Sequence, residues 1–116
     1  MVMPEFHRLC DEAKKEIREI DVGELKRMQS AGEDFVLLDV REPDETAKGT
    51  IPGAVTIPRG LVEYKIDEVT TEKDKPLVLY CGGGSRSALA AANLKKMGFR
   101  NAISLIGGYR AWSSKA

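Results

Sequence analysis

Leu77-Val78-Leu79-Tyr80-Cys81-Gly82-Gly83-Gly84-Ser85-Arg86-Ser87 is an apolar run, then a glycine turn, then the entry to an alanine-rich stretch. Four successive apolar residues without polar alternation mark a strand buried on both faces. The stretch from Ser87 to Met97 reads as a helix, and Gly98 closes it. A buried strand that turns directly into a helix is the building unit of a parallel sheet.

The same grammar recurs on either side. Phe35–Val40, Ala54–Ile57 and Ala102–Ile106 are further strand-like runs, with a shorter one at Ile17–Ile20. Helices are expected at Pro4–Glu16, where Phe6, Leu9, Cys10, Ala13 and Ile17 form one apolar stripe, and at Leu61–Val69. Asp21 followed by Glu24 signals another helix start, running to Ser30 and ended by Gly32. These elements predict an α/β fold, a mostly parallel sheet of about five strands with helices on both faces. Residues 1–16 then form an N-terminal helical extension and residues 17–116 the domain itself. In such sheets the loops at the strand C-termini are the default place for a site.

Composition narrows the function. A chain of 116 residues and 12.8 kDa is one domain, long enough for a core without staples. Eighteen basic residues balance eighteen acidic ones, so the electrostatic excess of a nucleic-acid binder is absent. No apolar run is long enough for a bilayer, and the N-terminus lacks the basic and apolar regions of a secretory signal. A cytoplasmic protein without membrane or nucleic-acid partners is the expectation. Two cysteines, Cys10 and Cys81, build no disulfide framework, and with the single His7 they fall short of a four-ligand zinc site. His7 lies far in sequence from every glycine-rich turn, which argues against a histidine-partnered nucleophile. No metal is expected.

The loop after Tyr80 concentrates the chemistry. Gly82, Gly83 and Gly84 allow successive N–H groups to turn inward as an anion-binding nest. The next helix aims its positive N-terminal end at the same spot, and Arg86 adds a cation there. A cysteine at the mouth of such a cup loses its proton readily, and the thiolate is the nucleophile. The competing reading makes Cys81 a small buried residue above a tight turn; it needs strand end, glycine cup and helix-start arginine to coincide without purpose. Other candidates carry less. Arg59, after Pro58 at the third strand's end, either steers anions into the pocket or is a solvated helix-start residue. Asp39, Arg41 and Glu42 read as a salt-bridged brace beneath the loop rather than as acid–base groups. Trp112 packs a last helix into the core, and Cys10 belongs to an apolar stripe.

From Ile17 to Trp112 the chain resembles the rhodanese family of single-domain sulfurtransferases. The resemblance rests on four marks in order: Asp39-Val40-Arg41-Glu42, Gly49-Thr50-Ile51-Pro52-Gly53-Ala54, the loop Cys81 to Ser87, and Gly107-Gly108-Tyr109-Arg110-Ala111-Trp112. Thr50 departs from the family's histidine at a position outside the chemistry. The resemblance implies that Cys81 attacks the outer sulfur of a donor such as thiosulfate. The resulting persulfide is held by the loop Gly82, Gly83, Gly84, Ser85, Arg86 and Ser87, and its sulfur passes to cyanide or a thiol. No cofactor is implied. The partners implied are small sulfur-containing anions and thiols, with a thiol-carrier protein as an alternative acceptor. Phosphatases and arsenate reductases of the same fold resemble Cys-x5-Arg, whereas here four residues separate Cys81 from Arg86, a ring suited to a smaller adduct. A protein-to-protein persulfide relay, or a regulatory binding module, is the remaining alternative. Arg86 is the only basic residue within the loop, which implies room for a bulky donor such as glutathione persulfide.

Overall fold

The computed structural model describes residues 3–114. Along the chain come α1 (Pro4–Glu16), β1 (Arg18–Ile20), α2 (Val22–Ser30), β2 (Val36–Asp39), α3 (Pro43–Thr46) and β3 (Val55–Thr56). A 3-10 turn at Arg59–Leu61 leads into α4 (Val62–Val69), then β4 (Leu77–Tyr80), α5 (Ser85–Lys96), β5 (Ala102–Leu105) and α6 (Gly108–Ser113). The five strands form one sheet in the order β1-β5-β4-β2-β3, and every pairing is parallel. All strand C-termini therefore open on one edge of the sheet, and the loop after Tyr80 leaves from the central strand.

Period-two alternation divides the core. Leu38, Leu77 and Leu79 face one side, where Val62 and Ile66 of α4 and Ala90, Ala91 and Leu94 of α5 cover them. Leu37, Val78, Tyr80, Ile103 and Leu105 face the other side, under Leu25 and Met28 of α2 and with Tyr109 and Trp112 packed alongside. Helix α5 is buried on two sides. Its Ala88 and Ala92 meet Ala13 of α1, while Ala90 and Ala91 meet the sheet. Small side chains let both neighbours approach closely, which explains the alanine-rich composition and gives α1 its role as a cover over α5.

Local signals account for most boundaries. The Asp21 carboxylate accepts the Glu24 N–H at 2.8 Å, and Gly32 sits in the left-handed region (φ 66°) after α2. Several ends shift by a residue, as in β2 (Phe35–Val40 expected, Val36–Asp39 found), and three further differences have a local cause. Helix α5 begins at Ser85 rather than Ser87, because left-handed Gly84 (φ 106°) serves as its N-cap. The third strand shrinks from Ala54–Ile57 to Val55–Thr56, an exposed edge hemmed in by Pro52-Gly53 and Pro58. Helix α3, not foreseen, starts at Pro43, whose fixed φ suits a first helical position.

Candidate active site

Cys81 directly follows β4 and is 1% exposed, so its sulfur lies on the floor of the loop. The Sγ accepts the Gly84 N–H at 3.1 Å and the Ser87 N–H at 3.4 Å, with Ser87 Oγ at 3.5 Å. Burial pushes the thiol's pKa up. The hydrogen bonds from the Ser87 hydroxyl and from the N–H groups of Ser87, Gly84 and Gly83 outweigh that, and hold it below its ordinary value. The early start of α5 matters here, because it places Ser85, Arg86 and Ser87 in the helix's first turn, where N–H groups have no intrahelical partner.

Beneath the sulfur lies a second polar layer. Ser87 Oγ is 2.8 Å from Ser104 Oγ of β5, and both serines are fully buried. When Cys81 is a thiolate it can only accept, so Ser87 donates to the sulfur and Ser104 donates to Ser87. Ser104 was not singled out in the sequence. The available signal was a polar residue inside the otherwise apolar run Ala102–Ile106.

The loop is clamped from α6. The Tyr109 N–H donates to the Cys81 carbonyl at 2.7 Å and the Arg110 N–H to the Gly82 carbonyl at 3.1 Å. Gly108, in the left-handed region (φ 54°), is where the backbones touch: a side chain there would collide with the Cys81 carbonyl.

Arg86 is held by a residue that sequence reading missed. Its Nη1 and Nη2 donate to the two carboxylate oxygens of Glu45 at 2.8 and 3.1 Å. The Arg86 hydrogen bond, helped by the Glu42 N–H at 3.0 Å, holds the Glu45 carboxyl down at about 2. Glu45 in turn raises the Arg86 pKa, with a smaller contribution from Cys81. The signal for Glu45 was its spacing from Glu42, a capping pattern at the start of α3.

Asp39 and Arg41 form a buried ion pair, with Arg41 Nη2 at 2.8 Å from Asp39 Oδ2. Arg41 also donates to the Gly49 carbonyl at 2.7 Å, and its guanidinium lies 4.1 Å from the Tyr109 ring centroid. The Tyr80 hydroxyl accepts the Ile51 N–H at 2.9 Å, and burial raises the Tyr80 pKa. Together these contacts tie the loop after β2 and the Gly49–Ala54 turn to α6. Glu42 stands outside this brace: it is exposed and pairs with no cation among the described residues. Its N–H goes to Glu45 instead. Arg59 is also turned aside. It pairs with Glu63 at 2.9 Å and lines a groove between α1 and α5, with Leu9, Ala13, Leu89 and Asn93.

The sequence model of the rhodanese-like domain family matches residues 21–115. The chain is 37% identical over 97 residues to a sulfurtransferase of Allochromatium vinosum, covering 84% of this chain and 89% of that one. Human TSTD1, a single-domain sulfurtransferase, superposes with a TM-score of 0.74 at 28% identity, over 84% of this chain and 96% of its own. A Rhodopseudomonas palustris protein of unknown function, described as a possible tyrosine phosphatase, superposes with a TM-score of 0.84 at 32% identity. That match covers 97% of this chain and 91% of the other.

Proposed function

The chain belongs to the rhodanese-like domain family, and from that premise we propose that it is a sulfurtransferase working through a persulfide on Cys81. The observation that carries this reading is the sulfur of Cys81 ringed by N–H and O–H donors, an environment that favours an anion on sulfur. In the first half-reaction the Cys81 thiolate attacks the outer sulfur of thiosulfate or of a persulfide donor. The donor's S–S bond breaks, its electron pair leaving with sulfite or with the donor thiolate, and Cys81 becomes a persulfide anion. In the second, cyanide or a thiolate attacks the terminal sulfur, the Cys81–sulfur bond breaks, and its electron pair restores the thiolate. Electrons and charge balance within each half, so no external oxidant or cofactor enters.

Each neighbour has a part in that cycle. Gly83, Gly84 and Ser87 offer the N–H groups that stabilise the charge, and the α5 N-terminus adds its dipole. The same donors lower the thiol's pKa and so favour the attacking thiolate without a histidine base. Arg86 is a charge held against Gly82 of the loop, oriented by its two hydrogen bonds to Glu45. With four residues between Cys81 and Arg86, the ring suits a sulfur adduct better than a phosphoryl group.

The test is thiosulfate:cyanide sulfur transfer by the purified protein beside Cys81→Ser, with thiocyanate formation as readout. Turnover that disappears in the variant supports the proposal. Turnover of p-nitrophenyl phosphate, without any sulfur transfer from thiosulfate or glutathione persulfide, would replace it with the phosphatase reading. A Cys81 persulfide that forms but passes sulfur only to protein thiols would replace the enzyme with a relay.

A further inference from the structure

Four arginines stand near the C-terminal edge of the sheet, and three are engaged by carboxylates. Arg41 is paired with Asp39, Arg59 with Glu63 and Arg86 with Glu45. Arg110 alone of the four has no carboxylate partner among the described residues, although its side chain is exposed and Arg110 sits beside the loop. Its guanidinium lies over Gly83: a Cβ built there would come within 3.3 Å of Arg110 Nη1 and 3.9 Å of Cζ. Its backbone is fixed in place by the hydrogen bonds from Tyr109 and Arg110 to the loop carbonyls, at a contact that only a glycine at 108 permits.

We propose that Arg110 forms an anion subsite on the lip of the Cys81 cup, which receives the oxyanion carried by the incoming sulfur donor. This rests on the sulfurtransferase reading, and it supplies the free cation that the loop's own sequence lacks. The subsite takes a sulfonate or a carboxylate: the oxygens of thiosulfate that depart as sulfite, or a carboxylate of a persulfide donor such as glutathione persulfide. Gly83 is part of the device, since a side chain there would press on Arg110 Nη1, 3.3 Å from the Cβ position. Arg110 is therefore a binding and specificity residue, and the nucleophile does not depend on it.

The experiment compares alkylation of Cys81 by iodoacetate and by iodoacetamide, followed by peptide mass spectrometry, in wild type, Arg110→Gln and Arg110→Lys. The two reagents differ in charge and little in size, and neither requires sulfur transfer. Arg110→Gln is expected to slow iodoacetate about five- to tenfold while leaving iodoacetamide within about twofold. Arg110→Lys should restore most of the difference, and added salt should erode it. Equal slowing of both reagents, or of neither, overturns the subsite. In parallel, Arg110→Gln should raise KM for thiosulfate and leave kcat with saturating donor nearly unchanged. The same comparison with glutathione persulfide shows which oxyanion the lip favours. A wild type that transfers no sulfur yet keeps its iodoacetate preference would sink the sulfurtransferase reading and leave the anion subsite standing.

Discussion

The two cysteines are almost equally buried, Cys10 at 3% exposure and Cys81 at 1%, yet they occupy different chemical environments. Cys10 sits on the apolar face of α1, the helix whose Ala13 packs on Ala88 and Ala92 of α5. Cys81 stands where a central strand ends, a left-handed glycine turns the chain, and a helix begins with its N–H groups aimed back. Burial alone makes a thiol a small hydrophobe. What changes it is the architecture around it: parallel strands send every C-terminal loop to one edge, and the helix start supplies donors with nowhere else to go.

The largest expected effect breaks the symmetry between the two sulfurs outright. Cys81→Ser should reduce sulfur transfer by more than about a thousandfold, whereas Cys10→Ala should leave kcat/KM within about twofold and cost about 1 kcal/mol in stability. A Cys10 variant that lost turnover while remaining folded would erase the contrast.

The next effect concerns the donors to sulfur. Because Cys81 titrates below an ordinary thiol, its iodoacetamide rate should plateau at lower pH than that of a free thiol and fall only as pH drops through the lowered pKa. Ser87→Ala removes the hydroxyl donor, moves that inflection upward, and should slow alkylation near neutral pH about tenfold. Ser104→Ala acts one step removed, through the orientation of the Ser87 hydroxyl, and a loss of about threefold is expected. Ser104→Thr keeps a hydroxyl and should recover part of it. An unchanged pH profile in Ser87→Ala would mean that the backbone donors suffice.

The smallest effect sharpens the role of Arg86. Glu45→Gln unties the guanidinium and should lower Tm by about 2–4 °C near neutral pH. The sign follows from the lowered carboxyl. Glu45 contributes stability above its ordinary pKa of 4.5, and the contribution disappears as pH falls toward about 2. Melting curves of wild type and variant should therefore converge in acid. Curves that stay parallel would show that the pair does not couple to folding.

How far the sequence could be read follows from how local each signal is. The stripe Phe6, Leu9, Cys10 and Ala13 defines a helix with bounds matching Pro4–Glu16, and Leu77–Tyr80 stands as a strand without adjustment. The Cys81–Ser87 segment announces its cup because turn, glycines and helix start are contiguous. What escaped is long-range. Glu45 reaches Arg86 across 41 positions and Ser104 reaches Ser87 across 17, so no local pattern joins them. The start of α5 was misplaced because Ser85-Arg86-Ser87 also reads as turn chemistry, and only the left-handed backbone of Gly84 decides the matter. Arg59 lies at the foreseen strand end, but the presence of Glu63 one helical turn later directs its side chain elsewhere.

Intact-mass analysis after thiosulfate treatment of wild type, Cys10→Ala and Cys81→Ser decides whether Cys81 is the sole carrier of sulfur. The proposed Cys81 persulfide requires one added sulfur on wild type and on Cys10→Ala, none on Cys81→Ser, and its removal by cyanide. Sulfur retained on Cys81→Ser, or lost with Cys10→Ala, would contradict the account.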